Sequence, residues 1–113
     1  MNPILKVSFY SNGNIEPVRD WLKSLEGKDK KIIGEDIKTV QYGWPLGMPL
    51  VSHIDGDIWE VRIKLENRIA RVFFCLEKDN MVLIHGFIKK TQKTPDNEIE
   101  TAKDRLKKLK GRK

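Results

Sequence analysis

The sequence predicts an α+β fold: a single antiparallel sheet of about four strands with helices packed on it, in the order β-α-α-β-β-β-α. Three observations carry this. Trp59-Glu60-Val61-Arg62-Ile63-Lys64 alternates strictly between apolar and polar residues, the period of a strand with one apolar face. Two further apolar runs, Ile69 to Leu76 and Val82 to Ile88, follow after short connections, as in an antiparallel meander. Helical spacing appears before and after this block but not within it.

The elements follow in order. Residues 4 to 9, ILKVSF, read as a first strand. Ser11-Asn12-Gly13-Asn14 has turn chemistry, and Asn14 is placed to cap a helix with Pro17 in its first turn. Ile15, Val18, Trp21, Leu22 and Leu25 form the apolar stripe of that helix, which Gly27 ends. Asp29 is the expected cap of a second helix, carried by Ile33, Ile37 and Val40 and closed at Gly43. The Gly/Pro-rich stretch WPLGMPLVSHIDGD, residues 44 to 57, reads as a loop, with room for a short extended piece. After the meander, Thr94 and Pro95 open a last helix. Its acidic first turn (Asp96, Glu98, Glu100) and basic end (Lys107, Lys108, Lys110) match the helix dipole, and Ile99, Ala102, Leu106 and Leu109 form its inner face.

Composition narrows the function classes. The chain has 113 residues, the size of one domain, and no linker or repeat divides it. No apolar run approaches the ~20 residues of a membrane span, and MNPILKVSFY lacks the regions of a signal peptide. The single cysteine, Cys75, excludes a disulfide scaffold and fits a reducing cytoplasm. No Cys/His spacing suggests a metal site, and no cofactor motif is present. Lys and Arg number 22 against 16 Asp and Glu, a net charge of +6. Such an excess attracts polyanions: nucleic acid, an acidic protein or an anionic membrane.

The meander concentrates that charge. With Glu66-Asn67 as a two-residue turn, Trp59, Val61, Ile63, Ala70, Val72 and Phe74 share one apolar face. The other face carries Glu60, Arg62, Lys64, Ile69, Arg71 and Phe73, with Arg62 directly across from Arg71. Like charges facing each other destabilise a sheet, unless an anion belongs between them; two guanidiniums converging on a phosphate supply fork-like, charge-assisted hydrogen bonds. The alternative is that Arg62 pairs with Glu60 and both arginines are solvated. The third strand discharges Lys89 and Lys90 toward the edge of the same face, with Lys93 in the turn beyond, which suggests a basic groove. His85 faces Arg71 if Phe74 pairs with Val82, and points into the core if the register differs by one. His53 reads as a loop surface residue.

The segments DIWEVRI, RIARVFFC, VLIHGFIKKTQKTP and EIETAKDRL, in that order, resemble the RelE/HigB-like toxins of type II toxin–antitoxin systems, and among them the phage-associated HigB-type branch. The resemblance runs over residues 4 to 109 and is most specific from Trp59 to Leu106. It implies a RelE-like fold and a ribosome-dependent endoribonuclease that cuts mRNA. It also implies a cognate antitoxin, of the helix-turn-helix HigA-like kind. By position it points to Arg62, Arg71, Lys89, Lys90 and Lys93, with Glu60 as a weaker candidate; together with the groove reading this places Arg62, Arg71, Lys90, Lys93 and Glu60 in catalysis and Lys89, Lys64, Phe73, Arg68 and His85 as RNA contacts. RNA carries its own nucleophile, the 2′-hydroxyl, so cations around the phosphate suffice without a metal, with Glu60 or His85 as the candidate general base. Phe73 would stack on a base or be covered by a helix. The chain departs from its relatives at the C-terminal side, where no Tyr follows Tyr42 and no His follows His85. The competing reading is a non-catalytic nucleic-acid-binding or regulatory module of the same fold; part of the basic face would also suit an acidic antitoxin.

Overall fold

The sheet has five strands, not four, and is mixed rather than antiparallel. The computed structural model describes residues 2–90 and 93–111. In chain order these are β1 (Lys6–Phe9), α1 (Pro17–Lys23), α2 (Gly27–Gly43), β2 (Val51–Asp55), β3 (Ile58–Lys64), β4 (Ile69–Glu77), β5 (Asn80–Lys89) and α3 (Asp96–Lys110). The strands lie side by side as β1-β5-β4-β3-β2. The additional strand, β2, comes from the Gly/Pro-rich stretch read as a loop: residues 51–55 carry no proline and pair antiparallel with β3. β1 pairs parallel with β5, because the two helices between it and the meander return the chain to the far edge.

Each face of the sheet is covered. Val61, Ile63, Ala70, Val72 and Phe74 pack with Val18, Ile33, Ile37 and Val40, so α1 and α2 lie on the apolar face expected from the alternation. On the other face Phe73, Cys75, Ile84 and Phe87 pack with Ala102, and Ile99, Leu106 and Leu109 of α3 close over them. The central strands are therefore buried on both sides, which is why the Ile69–Leu76 run does not alternate.

The β3–β4 register is the one the alternation predicts, with Arg62 opposite Arg71 and Glu60 opposite Phe73. Between β4 and β5 a bulge intervenes: Phe73 pairs with His85 but Phe74 pairs with Leu83, leaving Ile84 as the extra residue. Phe87, not His85, consequently stands across from Arg71.

The helix starts differ from those expected. Glu16, Glu26 and Pro95 occupy the N-cap positions, and none makes a side-chain cap bond. Asn14 and Asp29 are therefore not caps. Asp29 lies in the first turn of α2, buried, and accepts a 2.6 Å bond from Arg68, which straps the β3–β4 turn to α2. The Thr94 hydroxyl donates to Glu60 instead of to the end of α3. In each case a tertiary partner outcompetes the local one.

Gly86 has a specific packing reason. A Cβ at this position would come within 2.4 Å of the Trp21 ring, so α1 approaches β5 through the missing side chain. Gly86→Val should destabilise the fold by about 1–3 kcal/mol, the cost of overpacking a closed core; an unchanged urea midpoint would show that α1 does not seat here.

Candidate functional site

The arginine pair sits where the sheet emerges from under α3. Arg62 and Arg71 are direct partners across β3 and β4, on the same side. Between them stands Glu60. Its Oε1 lies 3.9 Å from Arg62 Nε, and its Oε2 lies 3.4 Å from Arg71 Nε. Ser52 of β2 donates to Oε1 at 3.0 Å, and Thr94 to Oε2 at 3.4 Å. Glu60 and Arg71 are each 3% exposed, whereas a third of the Arg62 side chain reaches solvent. The anion that reconciles the facing arginines is thus supplied first from within. The Arg71 Nε contact is an ion pair without hydrogen-bond geometry, and Nη1 donates to the Ala70 carbonyl at 3.3 Å.

Arg62, Arg68, Arg71, Lys89 and Lys90 line one open cleft, of about 510 Å³, together with Asn67 and Ile69. Burial pushes Arg71 below the ordinary arginine value, Glu60 opposes that shift, and the charge of Arg62 adds to it. Lys89 is also held below the usual lysine range, first by desolvation and then by the charge of Arg71. Three cations, Arg62, Arg71 and Lys89, thus act on a neighbourhood with one carboxylate, Glu60, and the positive excess faces the cleft.

The other candidates distribute unevenly. Arg68 lines the cleft while its guanidinium is held by Asp29. Lys64 borders a neighbouring cleft that shares the two arginines. Lys93 borders a separate recess with Thr94, Pro95 and Asp96. Phe73 is fully buried, edge-on to Phe87 at 5.4 Å; with α3 over it the ring has no face to offer a base, which corrects the stacking assignment.

His85 lies on the same side of the sheet as Phe73, but α3 claims it. Its Nε2 is 2.7 Å from Glu98 Oε1, and Nδ1 is 3.1 Å from Arg105 Nη1. The arginine nitrogen is always a donor, so Nδ1 accepts and Nε2 carries the proton to Glu98. The ring stacks on Phe87. The alternative in which Phe74 pairs with Val82 and His85 faces Arg71 does not hold, because the β5 bulge shifts the register. Among the described residues, no group of three or more His, Cys, Asp or Glu is placed to hold a metal ion.

A family model described as phage derived protein Gp49-like (DUF891) matches residues 20–107, well over half of the chain. The chain belongs to this family. The Gp49-like proteins are RelE/HigB-like toxins of toxin–antitoxin systems, so an antitoxin partner is implied in general terms. No curated protein matches the sequence. The matched region of this Gp49-like chain contains the whole arginine cluster and Glu60.

Of the residues gathered at the cleft, Glu60, Arg62 and Arg71 were legible from strand alternation, and Lys89 and Lys90 from their place at the end of the third strand. Ser52, Thr94, Asp29 and Asp36 were missed as site-shaping groups, since each acts through a distant segment and leaves no periodic signal.

Two outcomes follow for the Gp49-like chain. Glu60→Ala leaves the buried Arg71 cation unpaired and should cost about 3–5 kcal/mol, with part of the loss recovered in Glu60→Ala/Arg71→Met. Equal stability of the single and double variants by urea unfolding would remove the ion pair from the account. The second concerns pH. Burial, only partly opposed by Glu98, lowers the His85 value from 6.5, so the folded state keeps a neutral ring while the unfolded chain takes up a proton first. Stability is therefore full above about pH 6.5 and declines as the pH falls toward the lowered folded value. Urea midpoints at pH 7.5 and 5.5 should differ more for the native chain than for His85→Gln.

Proposed function

We propose that this protein is a ribosome-dependent mRNA endoribonuclease of the phage-associated HigB-type branch, acting in the cytoplasm and neutralised by a helix-turn-helix, HigA-like antitoxin. The observation that supports it most is the convergence of Arg62, Arg71 and Lys89 on one open cleft, with Lys90 at its rim.

A phosphate entering this cleft meets guanidiniums already in place, held by Glu60 and the strand register rather than by the ligand. The RNA 2′-hydroxyl attacks the adjacent phosphorus and gives up its proton, and the P–O5′ bond breaks. The products are a 2′,3′-cyclic phosphate and a 5′-hydroxyl, which takes a proton. Arg62 and Arg71 stabilise charge on the five-coordinate phosphorus, and preorganised donors of this kind cost little rearrangement at the moment of reaction. Glu60 acts as a positioning residue, because both its oxygens are engaged. Lys89, which lines the same cleft and whose proton affinity is lowered first by desolvation and then by the Arg71 charge, is the group we assign to proton transfer. Lys90 assists the leaving group or anchors RNA, and Lys64 and Lys93, which border neighbouring recesses, are assigned to contacts with flanking nucleotides.

The depth of Arg71 favours a second reading, a module that binds RNA without cutting it. Here Lys89 and Lys90 variants would lower affinity, and log K would fall with log salt by about one unit per phosphate contact, with no cleavage to lose.

The deciding experiment is cell-free translation with cleavage sites mapped on the ribosome-bound message. Native protein should cut within the translated frame, and Arg62→Ala and Lys89→Ala should each lower the rate by about 10²–10³. Uninterrupted translation with intact messages would overturn the nuclease reading and leave the binding module.

A further inference from the structure

Arg62 and Arg71 border two clefts. On the Lys89 side the charged lining residues are all cations. Around the edge of the sheet, the same two guanidiniums border a second cleft of about 640 Å³ with different walls. It is open because β2 pairs with β3 only as far as Val61, leaving Arg62 to Lys64 beyond the last strand pair. The segment before β2 docks here instead: Arg62 N–H donates to the Leu50 carbonyl at 2.7 Å, and Arg62 Nη1 contacts Met48 Sδ at 3.4 Å.

Ile32, Pro49, Leu50 and Ile69 form the apolar walls. Ile69 is 40% exposed, an aliphatic side chain left in water on a strand that is otherwise mostly buried. Asp36 of α2 supplies the one carboxylate in the lining. Among the described residues no hydrogen bond or ion pair engages it, and burial followed by the charge of Glu35 raises its proton affinity. Its carboxylate oxygens are acceptors open to an incoming N–H group from within the cleft.

We propose that this second cleft is a nucleobase subsite for the RNA whose phosphate the arginine pair holds, and that Asp36 selects guanine by accepting its N1–H and exocyclic N2–H. The inference rests on the RNA reading above. The lining combines what a nucleotide requires: Arg62, Arg71 and Lys64 as cations for phosphate, one carboxylate that repels phosphate, and the aliphatic side chains of Ile32, Pro49, Leu50 and Ile69. Guanine alone presents two adjacent N–H donors at the spacing of two carboxylate oxygens. Adenine and cytosine present a donor beside a ring acceptor, and uracil a single N–H flanked by carbonyls, so each brings an acceptor against Asp36. An acidic antitoxin segment would also suit the arginines, but its carboxylates would meet Asp36; charge complementarity therefore favours the base.

The test uses the full chain with labelled isoleucine and leucine methyl groups, titrated with four short single-stranded RNAs that differ in one central base. The guanine-containing strand should bind about tenfold more tightly than the others, the discrimination expected of a bidentate contact, and should shift the methyl signals of Ile32, Leu50 and Ile69. Asp36→Asn, which replaces one acceptor by a donor, should erase the preference while leaving the salt dependence unchanged. Equal binding of all four strands overturns the proposal. So does no binding by any strand, a preference that survives Asp36→Asn, or methyl shifts produced only by an acidic peptide. The nuclease reading is judged separately: ribosomal cleavage with unaltered base preference in Asp36→Asn sinks the subsite alone, and guanine-selective binding without cleavage keeps the subsite and removes the nuclease.

Discussion

The structure turns on one buried carboxylate. Glu60 stands on the central sheet between two arginines that strand register forces to face each other, and without it their repulsion would sit in a desolvated place. Its other contacts reach Ser52 on β2 and Thr94 at the approach to α3. A single side chain thus ties β2, β3, β4 and the entry to the last helix to one point. Arg71 is buried as part of this arrangement, while Arg62, only partly covered, carries its charge to the surface. The two alternatives raised by facing arginines, an internal partner and an external anion, are compatible because one carboxylate does not neutralise the cations gathered around it.

The sheet is used in two ways along its length. Under α3 its second face is dry: Phe73, Phe87 and Ile84 fill it, and the neutral His85 is held between Glu98 and Arg105. Beyond the helix the same face is open and cationic. The β5 bulge at Ile84 sets the boundary, placing the aromatic Phe87 rather than the titratable His85 across from Arg71. The cleft's charge is consequently made of arginine and lysine side chains rather than histidine, and burial together with neighbouring cations lowers the proton affinity of both Arg71 and Lys89.

Local chemistry yields wherever a distant partner offers more. Asp29 has the side chain of a helix cap but accepts from Arg68 across the β3–β4 turn. Thr94 precedes a helix but bonds to Glu60. Neither exchange could be seen from neighbouring residues, since both partners lie more than thirty positions away.

The sequence by itself determined the helices and the three-stranded meander, including the pairing of Arg62 with Arg71. Strict alternation and a two-residue turn leave only one register that buries the apolar side. It likewise determined that cations collect at the end of the last strand. Only the tertiary structure decided the parallel docking of β1 and the recruitment of β2 from a proline-rich stretch. It also decided the bulge that moves His85 away from the arginines, and the burial of Glu60 among partners from four segments. Those depend on which distant groups meet when both faces of the sheet are covered, and side-chain periodicity carries no record of that.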